Sequence, residues 1–218
     1  MKKLARVSRM AAAATMQTAP AVKDKKTGEA EVNPQADGTI RFYRANEKPY
    51  GAFSNLFKRP IEFEGRLYPT SEHAYQAGKA AKPAVRDWIL SAPSPALAAM
   101  AAHGLYVWDV VPNWAEIKFA RMRAVLRAKF DQHPDLKALL LSTGDLRLVE
   151  AGTVNNAVNR LWGEVEGKGK NMLGVMLMEL RSEYEKVERT SPLARTTPAG
   201  PATGTRKRTV SKRSVATA

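Results

Sequence analysis

The sequence predicts an α+β fold: a single helix-rich domain with a small β-sheet, carrying a disordered basic tail at each end. Three observations point there. Between residues 38 and 187, short β-like runs alternate with longer stretches of helical apolar spacing. The 218 residues, 44% hydrophobic and 26% charged, suffice for one domain with a buried core. The flanks, 1–37 and 188–218, are rich in Ala, Thr, Ser, Pro and basic residues and have little to bury. No repeat of 20–50 residues is visible, which excludes solenoids and propellers.

The elements follow in order. Thr39 to Tyr43 and Ile61 to Phe63 read as strands, with Gly65 turning the chain into a third, Arg66 to Tyr68. Thr70 or Ser71 caps a helix running to about Ala81, stopped by Pro83. Ser94 and Pro95 open another through Ala102, closed by Gly104, and Leu105 to Trp108 reads as a strand. Asn113 with Glu116 three residues on has the form of a capping box. The helix it opens reaches Phe130, with Phe119, Met122, Leu126 and Phe130 as the buried face and Arg121, Arg123, Arg127 and Lys129 pointing elsewhere. A short helix, Asp135 to Leu141, and a strand, Leu146 to Val149, precede a last helix beginning near Asn171. Its stripe is Leu173, Leu177, Leu180, Tyr184 and Val187.

Charge is the unusual feature. Thirty-five Lys and Arg against 21 Asp and Glu give a net +14, so phosphate-bearing partners come first. Residues 1–36 carry net +4 and 188–218 net +6, leaving only +4 in between. Arg206, Lys207, Arg208, Lys212 and Arg213 make either a tail for nonspecific nucleic-acid contact or a solubilising extension. The absence of cysteine removes disulfides, thiolate catalysis and Cys-based zinc sites. Charges, Pro or Gly interrupt every apolar run, so no membrane partner is expected. The N-terminus resembles a secretory n-region or an Arg-rich transit peptide, but its apolar part is mostly alanine. An unprocessed tail and a cytoplasmic location are therefore the expectation.

Few residues stand out for chemistry. His73, His103 and His133 lie about thirty residues apart without a paired ligand, and read as ordinary polar residues. The segment around Gly163, Gly167 and Gly169 fails the P-loop pattern. Its Lys168, Lys170 and Asn171, at the start of the last helix, form either a phosphate-holding loop or a solvated loop with an Asn cap; composition alone favours the second. In PTSEHAYQAGKAAK, helical spacing puts Glu72, Gln76 and Lys79 on one side, with the end groups about 10 Å apart along the axis. The small residues around Lys79 suit a desolvated, nucleophilic amine, yet from spacing alone a solvated cation near a helix end is the simpler reading.

A set of longer motifs in order changes that balance: FSNLF at 53–57, YPTSEHAYQAGK at 68–79, NWAEIK at 113–118, MRAVLRAKF at 122–130, LLLSTGDLRLVE at 139–150, WG at 162–163 and GKGKNMLGVMLMELR at 167–181. Together they resemble the NADAR family of YbiA-like N-glycosidases over about residues 39–187. The resemblance implies hydrolysis of an N-glycosidic bond between a ribosyl unit and a base or amine, with neither metal nor cofactor. The associated substrates are ribosylamine phosphate intermediates of riboflavin synthesis and ADP-ribosylated guanine. By the same resemblance Glu72 is the acid/base and Lys79 forms a Schiff base with C1 of the opened ribose. Asn55 positions the ribose, Trp114 and Trp162 wall the site, and Lys118, Gly169, Lys170 and Asn171 meet phosphate or ribose oxygens.

One departure matters. The family commonly carries an aspartate three residues before the WG pair, where this sequence has Asn159, and the stretch from Glu150 to Trp162 is longer. An amide cannot accept the proton a carboxylate would, so that share is lost or moves to Asp145, Glu150 or Glu164. The alternative function is therefore a non-catalytic module that holds ADP-ribose or nucleic acid. A structural nucleic-acid protein is disfavoured by the mild charge of the central region.

Overall fold

The computed structural model describes residues 37–190, and the expected tails lie outside the described residues except at their inner edges. Within that span the element order is β1 (Thr39–Phe42), β2 (Ile61–Phe63), β3 (Arg66–Tyr68), α1 (Ser71–Ala77), α2 (Pro83–Leu90), α3 (Pro95–His103), α4 (Trp114–Gln132), α5 (Pro134–Leu141), β4 (Arg147–Glu150), α6 (Ala157–Trp162) and α7 (Met172–Thr190). This is the helix-rich α+β architecture expected. Its small sheet is two separate pairs: β1 and β4 are parallel, with Phe42 opposite Glu150, and β2 and β3 form an antiparallel hairpin.

The main core lies where α4 and α7 meet the β1–β4 pair. Ile40, Phe42, Phe53, Leu126, Phe130, Leu148, Leu173 and Leu177 are all essentially inaccessible there. The α7 stripe packs as its spacing requires through Tyr184, but Val187 is 63% exposed, because by then the helix has run past its partners. A smaller cluster, Ala80, Ile89, Ala98 and Ala102, joins α2 and α3 to the chain after α1.

Several local expectations give way to tertiary contacts. The helix opened by Thr70 has the expected cap, its hydroxyl accepting from the His73 N–H, but it ends at Ala77 and not near Ala81. Arg121 of α4 causes this: its guanidinium donates to the carbonyls of Ala74 and Tyr75 and occupies the space a side chain at Gly78 would need. Arg121 is thus no solvated residue. The chain then pairs briefly with 109–111, so Leu105 to Trp108 is an exposed loop with a 3-10 turn at Val107–Asp109, not a strand. Asn113 sits in the left-handed region at φ 59°, where its side chain caps nothing; its carbonyl accepts from Glu116 and Ile117 instead, and the capping box does not form. Neither α2 nor α6 is predicted from the sequence.

Lys129 is the largest reversal, being 1% exposed where helical phase suggested solvent. Its Nζ donates to the carbonyls of Ala52 and Ser54 at 2.6 and 3.0 Å, between the rings of Phe57 and Phe130. Burial pushes its pKa down to about 7, and a neutral amine has two N–H groups to match these two carbonyls. Lys129→Ala would take this donor from the Ala52 carbonyl and leave the Ser54 carbonyl with only the Phe57 N–H, beside a void. The expected loss is about 3 kcal/mol or more of unfolding free energy in urea titration, and a loss under about 1 kcal/mol would contradict this role.

Candidate active site

The segment Lys129 supports carries the first site residue. Asn55 follows a 3-10 turn at Tyr50–Phe53, and its carbonyl accepts from the Glu72 N–H at 3.1 Å and the Ser71 hydroxyl at 3.2 Å. This zips the loop to the first turn of α1. The Asn55 side chain donates to the sulfur of Met122 at 3.1 Å, while its Oδ1 is buried with no protein partner. Such an acceptor calls for a ligand or water donor.

Glu72 emerges from that first turn, 9% exposed, and Gln76 one turn on donates to its Oε1 at 2.7 Å. Burial raises its pKa to about 7, the Gln76 hydrogen bond opposing only part of the effect. The carboxyl group is therefore poised to give or take a proton near neutrality.

Lys79 lies two residues beyond the helix, on the bend that Arg121 imposes, so helical spacing is not what brings it to Glu72. Its backbone carbonyl accepts from Val111 at 2.9 Å, and its half-buried Nζ reaches across to donate to the Ala102 carbonyl of α3 at 2.6 Å. Burial lowers its pKa, and no carboxylate among the described residues pairs with it. A neutral Nζ keeps that hydrogen bond and a free lone pair.

These groups face one cavity of about 340 Å³. Asn55, Glu72, Lys79, Trp114, Lys118 and Trp162, all expected from the sequence, line it. Trp114 and Trp162 both pack against Tyr75, at 5.3 and 5.6 Å between centroids, and Phe119 packs against Trp162 at 5.7 Å. Lys118 joins no ion pair among the described residues, its Nζ lying 5.0 Å from the Phe119 centroid.

Gly169, Lys170 and Asn171 are not part of this lining. Gly169, at φ 158°, lets the backbone press against the carbonyls of Arg160 and Gly163, and Lys170 is exposed. The Asn171 side chain is committed elsewhere: Oδ1 accepts from the Glu150 N–H at 3.1 Å and Nδ2 donates to the Leu148 carbonyl at 2.8 Å. The Gly/Lys loop therefore clamps the end of β4 and does not reach the cavity.

The clamp exposes what sequence reasoning did not place. Of the three acids considered as substitutes for the missing aspartate, Asp145 is exposed on a turn and Glu164 pairs with Arg147, whereas Glu150 lines the cavity. Glu150 is half-buried, and burial with the Glu72 charge raises its pKa to about 7. Asn159 also lines the cavity, its amide donating to the Val154 carbonyl. Tyr75 and Gln76 were legible as part of the TSEH helix but carried no predicted role. His103 lines the cavity one residue past Ala102, with burial and the Lys79 charge lowering its pKa. His73 and His133 are structural, each ring bonded to backbone and to Thr70 or Arg59 respectively.

Among the described residues, no cluster of three or more His, Asp or Glu side chains is arranged to hold a metal ion, and no helix is long and apolar enough to cross a membrane. The fold and cavity define a class: a small α+β protein whose aromatic-walled pocket brings a desolvated amine to two protonatable carboxyl groups. The NADAR domain model matches residues 41–185. The N-glycosidase YbiA of Escherichia coli strain K12 is 43% identical over 148 residues, spanning 67% of this chain and 89% of that protein. A riboflavin biosynthesis protein of Vibrio vulnificus is 32% identical over 148 residues, 67% of this chain but 39% of its own length. The NMR structure of the E. coli protein YbiA superposes with a TM-score of 0.61 at 39% identity, covering 70% of this chain and 88% of that one. The chain belongs to the NADAR domain family.

Proposed function

We propose that the protein is an N-glycosidase, a hydrolase that cleaves the bond between C1 of a phosphorylated ribosyl or ADP-ribosyl unit and a nitrogenous base or amine. The observation that carries this reading is the pairing of Glu72 and Lys79 in one cavity where burial favours the neutral form of both. A protonated acid and an unprotonated amine are the states the reaction needs, and burial moves Glu72 and Lys79 toward them.

Glu72 gives its proton to the ribose ring oxygen as the C1–O bond breaks, and the lone pair of the leaving nitrogen forms a C1 iminium. Lys79 Nζ adds to C1. A proton passes from Nζ through the Glu72 carboxylate to the leaving nitrogen, whose bond to C1 breaks, so the iminium now joins C1 to Lys79. Water adds to C1 and loses a proton to a carboxylate. As the C1–Nζ bond breaks, the new hydroxyl's proton returns to Nζ, and the sugar leaves as the aldehyde. Asn55 Oδ1, unpaired in the protein, accepts from a ribose hydroxyl. Trp114 and Trp162 flank the sugar and base, and Lys118 meets phosphate.

The test is incubation of the full chain with a ribosylamine phosphate and, separately, with ADP-ribosylated guanine DNA, following base release by chromatography. Release from at least one is expected, with the faster probe naming the substrate. Tight binding of ADP-ribose with no release from either would overturn the hydrolase reading in favour of a binding module.

A further inference from the structure

We infer that Glu150 is a second catalytic carboxylate, the base that takes the proton from water when the sugar is released from Lys79. This deepens the hydrolase reading and rests on it. The first support is placement. Glu150 ends β4, where the parallel pairing with β1 sets the strand and the side chain turns into the cavity that also holds Glu72 and Lys79.

The second support is how firmly that placement is held. Asn171 sits at φ 50° so that one amide reaches both Leu148 and Glu150. The Glu150 carbonyl accepts from the Glu164 N–H at 2.8 Å. Gly163 has no room for a side chain, because a Cβ there would overlap the Glu150 backbone and come within 3.0 Å of its Cβ. Two stretches, Gly163–Glu164 and Asn171, thus fix one backbone position whose side chain does nothing structural: the Glu150 carboxyl takes no hydrogen bond or ion pair from any described residue. A half-buried carboxylate held rigidly at the cavity wall with no protein partner is available to a ligand or water there.

The third support is division of labour. Two carboxyl groups in one desolvated cavity resist double ionisation, so the pair holds one proton between them. Ring opening consumes the proton on Glu72 and leaves both groups ionised beside the iminium, and the proton that Glu72 relays from Nζ to the departing base restores neither. Hydrolysis of the Lys79 iminium then needs a base: oxygen of water bonds to C1, its proton goes to Glu150, and the proton re-equilibrates to Glu72 through cavity solvent before the next turnover. Asn159 cannot fill this role, since its amide has no basic oxygen. The carboxylate absent at that position is supplied from the end of β4.

Glu150→Gln tests this, since it keeps shape while removing the base. With whichever of the two probes the wild type cleaves, steady-state turnover is expected to fall about 100-fold or more. The first equivalent of base should still leave at close to the wild-type rate, and borohydride should then trap a near-stoichiometric sugar adduct on Lys79. An unchanged melting temperature and circular dichroism spectrum verify the fold. Turnover within about threefold of wild type would overturn the assignment, as would loss of the first-turnover burst together with the adduct. If the wild type itself releases no base from either probe, the hydrolase reading fails first and takes this proposal with it.

Discussion

Replacing Lys79 with alanine is expected to lower turnover about 10³-fold or more, roughly 4 kcal/mol of transition-state stabilisation, while leaving the fold in place. Of the two lysines that line the cavity, Lys79 is the one assigned to form and release the iminium at C1, and it stands unpaired by any described carboxylate, its amine held by the Ala102 carbonyl. Losing one partly exposed hydrogen bond costs about 1 kcal/mol, so folding should barely register the change. Lys79→Arg should be as inactive as Lys79→Ala, because a guanidinium keeps the charge but offers no free lone pair. Substrate binding, assigned to Asn55, Lys118 and the tryptophans, should change little, so KM should stay near the wild-type value. Base release by Lys79→Ala at more than a tenth of the wild-type rate would exclude the covalent route.

Glu72→Gln should act on two properties in opposite directions. Turnover falls about 10²- to 10⁴-fold with loss of the proton donor. Stability above neutrality rises, with the sign set by linkage. The folded-state pKa of Glu72, about 7, exceeds its ordinary value of 4.5, so between those values the native protein holds a proton that the unfolded chain has lost. Stability from this group is full below pH 4.5 and is lost as pH rises through 7, where an ionised carboxylate must be buried. Glutamine carries no such charge and keeps the contact with Gln76. At pH 8 the variant should therefore be more stable by about 2–3 kcal/mol in urea titration, with the gap closing below about pH 4.5. Lys129 follows the opposite rule: its pKa is depressed from 10.5 to about 7, so its contribution improves as pH rises across that window. A Glu72→Gln stability gap that did not vary with pH would contradict the raised pKa.

Such a gain on removing a site residue is what a functional burial produces. Glu72, Glu150 and Lys79 are each placed where their charged forms are disfavoured, and the surrounding structure holds them there.

Local signals in the sequence predicted much of the frame. The caps at Thr70 and Ser94, the hairpin around Gly65 and the apolar face of α7 as far as Tyr184 depend on neighbours within a few residues, and each forms as read. What failed depended on distant partners. Helical phase carried Glu72 and Lys79 to one face for the wrong reason, because Arg121, more than forty residues away, ends α1 early and sends Lys79 to Ala102. The same phase put Lys129 in water, since nothing near it announces the two carbonyls of the 52–54 loop. Asn171 looked like a phosphate ligand because glycines and lysines flank it, but its amide had a prior claim in β4. Glu150 was one acid among three until the pairing of β4 with β1 and the Asn171 clamp turned it into the cavity.

Covalent trapping at Lys79 probes the account most directly. The wild-type protein, incubated with the cleavable probe and borohydride, should yield a peptide spanning residue 79 heavier by one reduced sugar unit, and Lys79→Ala should yield none. Steady base release with no adduct, or an adduct on Lys118 in place of Lys79, would contradict it.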